Sequence, residues 1–247
     1  MILGSKKLVI VFGIATVLSS LAIPLSSARA SKLLVRDSVS VNVGIAPYVG
    51  ISIINNNAGT GVTYSNGVYS KTMQNGEHIS NFGTTRLKVI CNIDEHTENL
   101  DTYGTLDCRN NGWSLNIAPA SGYTTTVDGV SYATMVGSAA STAILSSSAD
   151  LSGSTSTWGI MVIPVSKTVS GTSVSASAAT GYDSMHIIPA STAPIATSTS
   201  WRTINGTSTY IESFELDIQY GVGVSSTQPA GTYTGVVDYT ISLNASS

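Results

Sequence analysis

The feature that most constrains this chain is a long alternation of apolar and polar residues near its C-terminus. From residue 214 to residue 224 every second side chain is apolar or aromatic, whereas the intervening residues are acidic, amide or glycine. Side chains of a β-strand point alternately to opposite faces, so a period of two predicts a strand with one buried face. The same alternation recurs over residues 39–45 and 233–243. The chain is therefore predicted to consist mainly of half-buried strands.

Composition and turn signals agree with this prediction. Ser, Thr and Gly are abundant and only 10% of the residues are charged, which disfavours helices, whereas Thr, Val, Ile and Tyr favour strands. Short strands that are separated by turn-forming residues are typical of an antiparallel sandwich. The predicted fold is an all-β, Greek-key-like antiparallel β-sandwich. The turn signals are Asn66-Gly67, Asn75-Gly76, Asn111-Gly112, Asp128-Gly129, Asn205-Gly206 and Pro229-Ala230-Gly231.

Three segments are predicted to depart from this strand pattern. Residues 132–145 contain several alanines and are the best candidate for a helix, although Gly137 and the serines weaken it. Residues 55–61 are predicted to be a turn-rich connector. Residues 166–200 are rich in Ser, Thr and Ala, and are predicted to be a long insertion, either a solvated surface excursion or a weak hairpin. No shift in charge marks a boundary, so residues 31–247 are predicted to form a single domain.

The N-terminus has the three parts of a secretory signal peptide. Two lysines precede an apolar run from Leu8 to Leu25, and Ala28-Arg29-Ala30 supplies small residues for cleavage. An uncleaved anchor is the alternative, because the run is nearly long enough to span a bilayer. Pro24 and the A-x-A sequence favour cleavage after Ala30. We therefore expect residues 1–30 to be removed, leaving a protein at the cell surface or cell wall without a transmembrane segment.

Removal of this signal leaves an acidic chain. It takes away three of the 11 basic residues and none of the 14 acidic ones, so residues 31–247 carry a formal net charge of −6. The remaining sequence contains no basic cluster. This argues against nucleic acid as a partner, because nucleic-acid binding relies on clustered Lys and Arg.

The only two cysteines of the sequence are Cys91 and Cys108. In an exported chain they are expected to form a disulfide. Metal ligation is a poor alternative, because structural zinc takes four ligands and the three histidines are not at ligand spacing. Acidic residues are densest between the cysteines, from Asp94 to Asp107. This stretch is interpreted as a solvated loop, with calcium binding as the alternative, although it lacks the residue order of a known calcium loop.

No set of residues predicts catalysis. The serines lack the G-x-S-x-G context of a strained nucleophile, and His186 is flanked by apolar residues that indicate a packed position. The carboxylates between the cysteines lie together in a polar stretch, whereas a glycosidase pair needs one acid in an apolar setting. The chain is therefore predicted to be neither an enzyme nor a cofactor-binding protein.

The tryptophans allow two interpretations. Trp113, Trp158 and Trp201 each follow a turn or a polar stretch, which fits the start of a buried strand. The alternative is an exposed carbohydrate-binding surface, because an aromatic face can stack on the apolar face of a sugar. Residue type and spacing leave both interpretations open.

Two stretches of the sequence resemble the WxL domain of Gram-positive surface proteins. In residues 87–117, LKVICNIDEHTENLDTYGTLDCRNNGWSLNI, a strand and an acidic stretch precede Gly112-Trp113-Ser114-Leu115. Residues 216–243, LDIQYGVGVSSTQPAGTYTGVVDYTISL, resemble the ending of the family. There Tyr239-Thr240-Ile241 stands where the family has a second Trp-x-Leu.

The resemblance implies a secreted β-rich protein that is held non-covalently at the cell wall, with peptidoglycan or other surface proteins as partners. It implies wall-binding roles for Trp113 and Leu115 in the first motif, and for Tyr239 and Ile241 in the second. A wall-binding module of this kind predicts that Trp113 and Tyr239 are exposed on one surface.

The turn from Pro229 to Thr234 supports an alternative. It is also similar to the endings of spore-coat and fimbrial subunits, which assemble by strand exchange. The alternative function is therefore a structural pilus-like or coat-like subunit. Residues 38–45, SVSVNVGI, are its predicted donor strand.

Overall fold

The computed structural model describes residues 49–91, 108, 111–138, 143–152 and 155–244, all of which belong to one unit, Pro47–Ser247. Within these ranges every secondary-structure element is a strand, so the all-β prediction is confirmed. In chain order the strands are β1 (Val49–Ala58), β2 (Thr63–Ser65), β3 (Val68–Ser70), β4 (His78–Cys91), β5 (Trp113–Pro119), β6 (Thr124–Val127), β7 (Val130–Gly137), β8 (Ala143–Leu145), β9 (Thr157–Val165), β10 (Lys167–Val169), β11 (Thr172–Val174), β12 (Ser177–Ala178), β13 (His186–Ile187), β14 (Ala193–Ser198), β15 (Trp201–Ile204), β16 (Thr207–Tyr210), β17 (Ser213–Gly223), β18 (Tyr233–Thr234) and β19 (Val237–Leu243).

Two sheets contain most of these strands. The larger sheet has the order β1-β4-β17-β9-β8-β7-β18, with β13 also paired to β9 and β6 also paired to β7. The smaller sheet has the order β12-β14-β5-β19. Pairing is antiparallel except between β8 and β9. Three two-stranded ribbons, β2–β3, β10–β11 and β15–β16, complete the described fold. The chain crosses repeatedly between the two main sheets, as a Greek-key-like sandwich requires.

The facing sides of the two main sheets form the core. The alternation predicted for β17 is confirmed, since Phe214, Leu216 and Ile218 are buried while the residues between them are half-buried. Leu216 pairs with the buried Leu87 of β4. These side chains belong to the same core cluster as the apolar residues of β5. Each such side chain stabilises the fold by about 1.5–3 kcal/mol through its removal from water.

The opposite face of the larger sheet is charged. The guanidinium of Arg86 donates two hydrogen bonds of 2.7 Å to the carboxylate of Asp217, its cross-strand partner. Glu215 lies 3.9 Å away on the same face. Because these groups are partly exposed, the ion pairs contribute at most about 1 kcal/mol to stability. They do favour one register, since a slip of one residue would move the charges into the core.

The helix predicted for residues 132–145 is wrong, because this stretch contains β7 and β8. The turn Asp128-Gly129 has positive φ at both residues, 50° and 79°, which is the geometry of a tight two-residue hairpin. It pairs β6 with β7 directly. Ala133 is buried against the core, so the small side chain that suggested a helix instead allows close packing between strands.

The connector predicted for residues 55–61 is partly wrong. β1 continues to Ala58, and Asn57 pairs with Thr84 of β4 after a bulge between Ile53 and Asn55. Asparagine disfavours strands, but the backbone partner offered by β4 outweighs that local preference.

The surface excursion predicted for residues 166–200 is also wrong, although the alternative of a hairpin is realised by β10 and β11. The segment continues into β14, which lies inside the smaller sheet and buries Ile195 completely. Its Ser, Thr and Ala side chains are short enough to pack between larger apolar neighbours.

Candidate functional site

The two motifs lie on neighbouring strands of the smaller sheet. β5 begins at Trp113 and pairs antiparallel with β19, so that Leu115 pairs with Ile241 and Trp113 pairs with Leu243. Tyr239 pairs with Ile117, one step further along. The structure therefore brings together the four residues that the family resemblance singled out, although about 120 residues separate the two motifs in the sequence.

The first motif is part of the core. The side chains of Trp113 and Leu115 are 0% exposed, and the Trp113 ring lies 5.9 Å from the ring of Phe214. The interpretation of Trp113 as the buried start of a strand is confirmed. The exposed position that a wall-binding module predicts for Trp113 is wrong, because strand alternation directs this side chain between the two sheets.

The second motif joins the two sheets through a hydrogen bond. The hydroxyls of Tyr239 and Tyr220 lie 2.6 Å apart, and Tyr220 belongs to β17 of the larger sheet. Burial raises the pKa of Tyr220. Burial and the neighbouring Tyr220 phenol raise the pKa of Tyr239 well above its ordinary value of 10.0. Both phenols therefore stay neutral at neutral pH, and a tyrosine at position 239 has a hydroxyl partner inside the sandwich.

Tyr239 is the inner end of a row of tyrosines that the sequence did not reveal. The rings of Tyr220 and Tyr69 lie 5.8 Å apart, and those of Tyr69 and Tyr64 lie 4.8 Å apart. The Tyr69 ring covers Gly83, where an added Cβ would lie 2.4 Å from it. The ribbon β2–β3 thus packs against β4 of the larger sheet, because glycine leaves room for the ring.

A polar pocket lies at the end of the smaller sheet where β5 begins. Its volume is about 200 Å³. Hydroxyl and amide side chains line it together with one guanidinium group, and no lining residue among the described ones is acidic or apolar. The lining residues are Asn111, Ser177, Thr197, Ser198, Thr199, Arg202 and Asn244.

The wall of this pocket depends on the turn that precedes Trp113. Gly112 has a φ of +84°, and an added Cβ would lie 2.4 Å from the backbone oxygen of Ser198. The backbone N–H of Asn244 donates to the Gly112 oxygen over 3.0 Å, and its side-chain amide donates to the Asn111 oxygen over 3.1 Å. The hydroxyl of Ser114 donates to the Asn244 side-chain oxygen over 2.9 Å. The end of β19 is therefore fixed against the start of β5.

Arg202 supplies the only charge among the described residues of the pocket. Its Nη2 donates to the hydroxyl of Ser198 over 2.7 Å and to the backbone oxygen of Ser175 over 3.4 Å. The guanidinium carbon lies 5.6 Å from the centre of the Phe214 ring, a cation–π distance. None of the ion pairs among the described residues includes Arg202. Sequence reasoning missed this residue, because a single arginine within a strand carries no motif.

The predicted disulfide between Cys91 and Cys108 is confirmed. Both cysteines are buried, and the bond closes a loop of 17 residues at the end of β4. The hydroxyl of Tyr210 donates to the Cys91 oxygen, and the backbone N–H of Ser200 donates to the Cys108 oxygen over 3.0 Å. The disulfide is thereby tied to the ribbon β15–β16, which carries Arg202. The acidic residues from Asp94 to Asp107 lie outside the described residues.

His186 packs against an aromatic neighbour. It pairs with Ile160 of β9, and its ring lies edge-on to Tyr182 with 4.7 Å between ring centres. A second, larger concavity of about 380 Å³ contains Lys71 and His78. There the ammonium of Lys71 is neutralised by Glu77, 2.6 Å away.

Neither a metal-ligand cluster nor a membrane-spanning helix occurs within the described ranges. No three His, Cys, Asp or Glu side chains of that part of the chain are close enough to hold a metal ion together. In the same part of the chain, no helical segment has the length and apolar character of a membrane span.

One edge of the larger sheet is open among the described strands. β1 pairs on one side with β4 and has no described partner on the other. Two large apolar side chains near its middle are exposed, Ile53 at 61% and Ile54 at 46%. The donor strand predicted at residues 38–45 lies outside the described residues.

Comparisons with protein-family models, with curated proteins and with solved structures found no match to this chain. Fold and site together define a disulfide-bonded, all-β sandwich with one small polar pocket beside the first motif strand.

Proposed function

We propose that this protein is a non-catalytic module of the cell surface that binds the cell wall non-covalently through the glycan of peptidoglycan. The observation that carries the proposal is the polar pocket built on the turn before Trp113. Hydroxyl and amide side chains both donate and accept hydrogen bonds, as sugar hydroxyls do. Small-ligand sites are concave, and convergent polar groups fix the orientation of the ligand in them.

In this proposal the motif residues support the site and do not touch the wall. Trp113 packs against Phe214, and Phe214 packs against the guanidinium of Arg202. Leu115 and Ile241 hold β5 and β19 together below the pocket. The motif therefore acts through the position of Arg202, which is why a buried tryptophan is compatible with a binding role.

Location at the cell surface is supported by the signal-peptide pattern of residues 1–30 and by the disulfide. Stable disulfides are typical of oxidising compartments outside the cytosol. The acidic net charge of residues 31–247 further supports a glycan or protein partner over nucleic acid.

Sedimentation with insoluble peptidoglycan tests this function. We expect the wild-type protein to sediment with the wall and Ser177→Glu to bind about tenfold less, because a carboxylate at the pocket lining would occupy the donors of Arg202. Ser173→Glu is the matched control, since Ser173 is also exposed, lies on β11 and is absent from the described lining of the pocket. A wild-type protein that stays in the supernatant, or equal binding by both variants, would contradict the proposal.

A second candidate function is a polymerising surface subunit, and the exposed edge of β1 favours it. Among the described strands, β1 lies at the edge of its sheet with Ile53 and Ile54 exposed, and the backbone groups of such an edge can accept a further strand. The occupant we assign to it is the segment 38–45 of a second copy, because this segment alternates apolar and polar residues.

Electron microscopy and size-exclusion chromatography test this second function. We expect concentration-dependent oligomers from the wild-type protein, and monomers from Ile53→Lys because a charge at the edge opposes strand addition. Val130→Lys is the control, since Val130 is similarly exposed but lies on β7. A wild-type protein that remains monomeric at high concentration would rule out this candidate.

A further inference from the structure

We propose that the pocket beside Trp113 binds the carboxylate of an acidic sugar and that Arg202 is the residue that recognises it. This inference rests on the proposed function for the origin of the ligand, because wall glycans contain sugars with a carboxyl group, which is free in uronic acids and in muramic acid that carries no peptide. The chemistry of recognition comes from the pocket itself.

The charge of the pocket specifies the charge of the ligand. Arg202 is the only charged residue of the described lining, and no described carboxylate forms an ion pair with it. One guanidinium matches one monoanion, and its N–H groups donate charge-assisted hydrogen bonds to a carboxylate. A phosphate dianion would require a second cation, and the described lining supplies none.

The guanidinium is held in place before any ligand binds. Both described hydrogen bonds of Arg202 leave from Nη2, to Ser198 and Ser175, so within the described structure the N–H groups of Nε and Nη1 remain for a ligand. The guanidinium also packs against the ring of Phe214, whose centre lies 5.6 Å from the guanidinium carbon. A side chain that is already ordered loses less conformational entropy on binding.

The size and the remaining lining indicate a single sugar ring. At about 200 Å³ the pocket is smaller than the roughly 300 Å³ at which sites for drug-sized ligands begin. The side chains of Thr199 and Asn244 offer donors and acceptors for ring hydroxyls. The ligand class is therefore a carboxylate-bearing pyranose. Two kinds of sugar belong to this class, the uronic acids and muramic acid.

Amide NMR titration of the full chain tests the inference with two matched pairs of sugars. D-glucuronate is compared with D-glucose, and N-acetylmuramic acid with N-acetylglucosamine, so that one member of each pair bears a carboxylate-containing group that the other lacks. We expect the acids, and not the neutral sugars, to shift the amide signals of Ser198, Thr199 and Asn244. The acid that binds with the higher affinity identifies which kind of sugar, a uronic acid or muramic acid, the pocket recognises. Equal shifts from the acidic and neutral sugars would overturn the proposal.

Two variants separate recognition by Arg202 from a general effect of charge. Arg202→Gln is expected to weaken binding of the acid about tenfold or more, because a charged hydrogen bond is lost. Lys167→Gln is expected to bind like the wild type, although Lys167 also lies 5.6 Å from the Phe214 ring, because it does not line the pocket. Unchanged binding by Arg202→Gln, or an equal loss in Lys167→Gln, would overturn the assignment.

The sugar titration and the wall sedimentation fail independently. Acid binding that depends on Arg202, in a protein that does not sediment with peptidoglycan, supports this inference and contradicts the proposed function. Sedimentation that Arg202→Gln leaves unchanged, with no signal shifts from either acid, contradicts this inference and leaves the wall function supported.

Discussion

Replacement of Trp113 by alanine is expected to lower the free energy of unfolding by about 3–5 kcal/mol, the usual cost of truncating a large buried aromatic side chain. Trp113 is completely buried, packs against Phe214, and begins a strand that pairs on both sides, with β14 and β19. A small domain is stable by about 5–15 kcal/mol, so this single change removes much of its margin. Urea denaturation followed by far-UV circular dichroism measures the loss.

Trp201→Ala is the matched control for this prediction. Trp201 is partly exposed and lies on the two-stranded ribbon β15–β16, against Tyr210. We expect Trp201→Ala to lower the free energy of unfolding by less than Trp113→Ala does, because folding buries less apolar surface of the partly exposed Trp201 side chain. A Trp113→Ala protein that unfolds at the same urea concentration as the wild type would show that the core does not depend on the motif.

The destabilisation expected of Trp113→Ala prevents this variant from testing whether the first motif contacts the cell wall. Because Trp113→Ala destabilises the fold itself, loss of wall binding in that variant does not identify a contact residue. Ser177 and Arg202 line the pocket without entering the apolar core. Variants at these two positions therefore separate recognition from folding.

Removal of the disulfide is expected to cost about 3 kcal/mol, the loop-closure term for a separation of 17 residues. The double variant Cys91→Ala/Cys108→Ala removes the bond and leaves no lone thiol. The free energy of unfolding falls because the unfolded chain gains conformational entropy when the disulfide no longer closes the loop. Urea denaturation of the wild type and the double variant, each with and without a reducing agent, measures it.

The reducing agent supplies the internal control. It is expected to lower the denaturation midpoint of the wild-type protein to that of the double variant and to leave the double variant unchanged. Equal midpoints for all four samples would show that the bond contributes nothing measurable. A loss well above 3 kcal/mol would instead point to the packing of the two buried cysteines and to the contact between Tyr210 and Cys91.

Sequence patterns correctly predicted those elements whose local preference for strand or turn agrees with their tertiary surroundings. The alternation of β17 and of β19 survives in the structure because each strand has one face toward the core. The glycine has a positive φ at five of the six predicted turns, Gly67, Gly76, Gly112, Gly129 and Gly206, since few other residues adopt that geometry without strain. Residues 132–145 and 166–200 were misassigned, because their short side chains carry a weak signal and partner strands decide their structure.

The sequence by itself determined the all-β class, five of the six turn glycines and the disulfide partners, and it singled out the two distant motifs. Tertiary structure alone decided that Trp113 points inward, that Tyr239 has Tyr220 as its partner, and that Arg202 meets the turn at Asn111 in one pocket. The reason is physical. Periodicity reports which side chains share a face of one strand, but it does not report which face the second sheet covers. Periodicity also does not report which strands and turns that are distant in the sequence lie next to each other. Their proximity depends on the order of the strands and on the crossovers between the sheets.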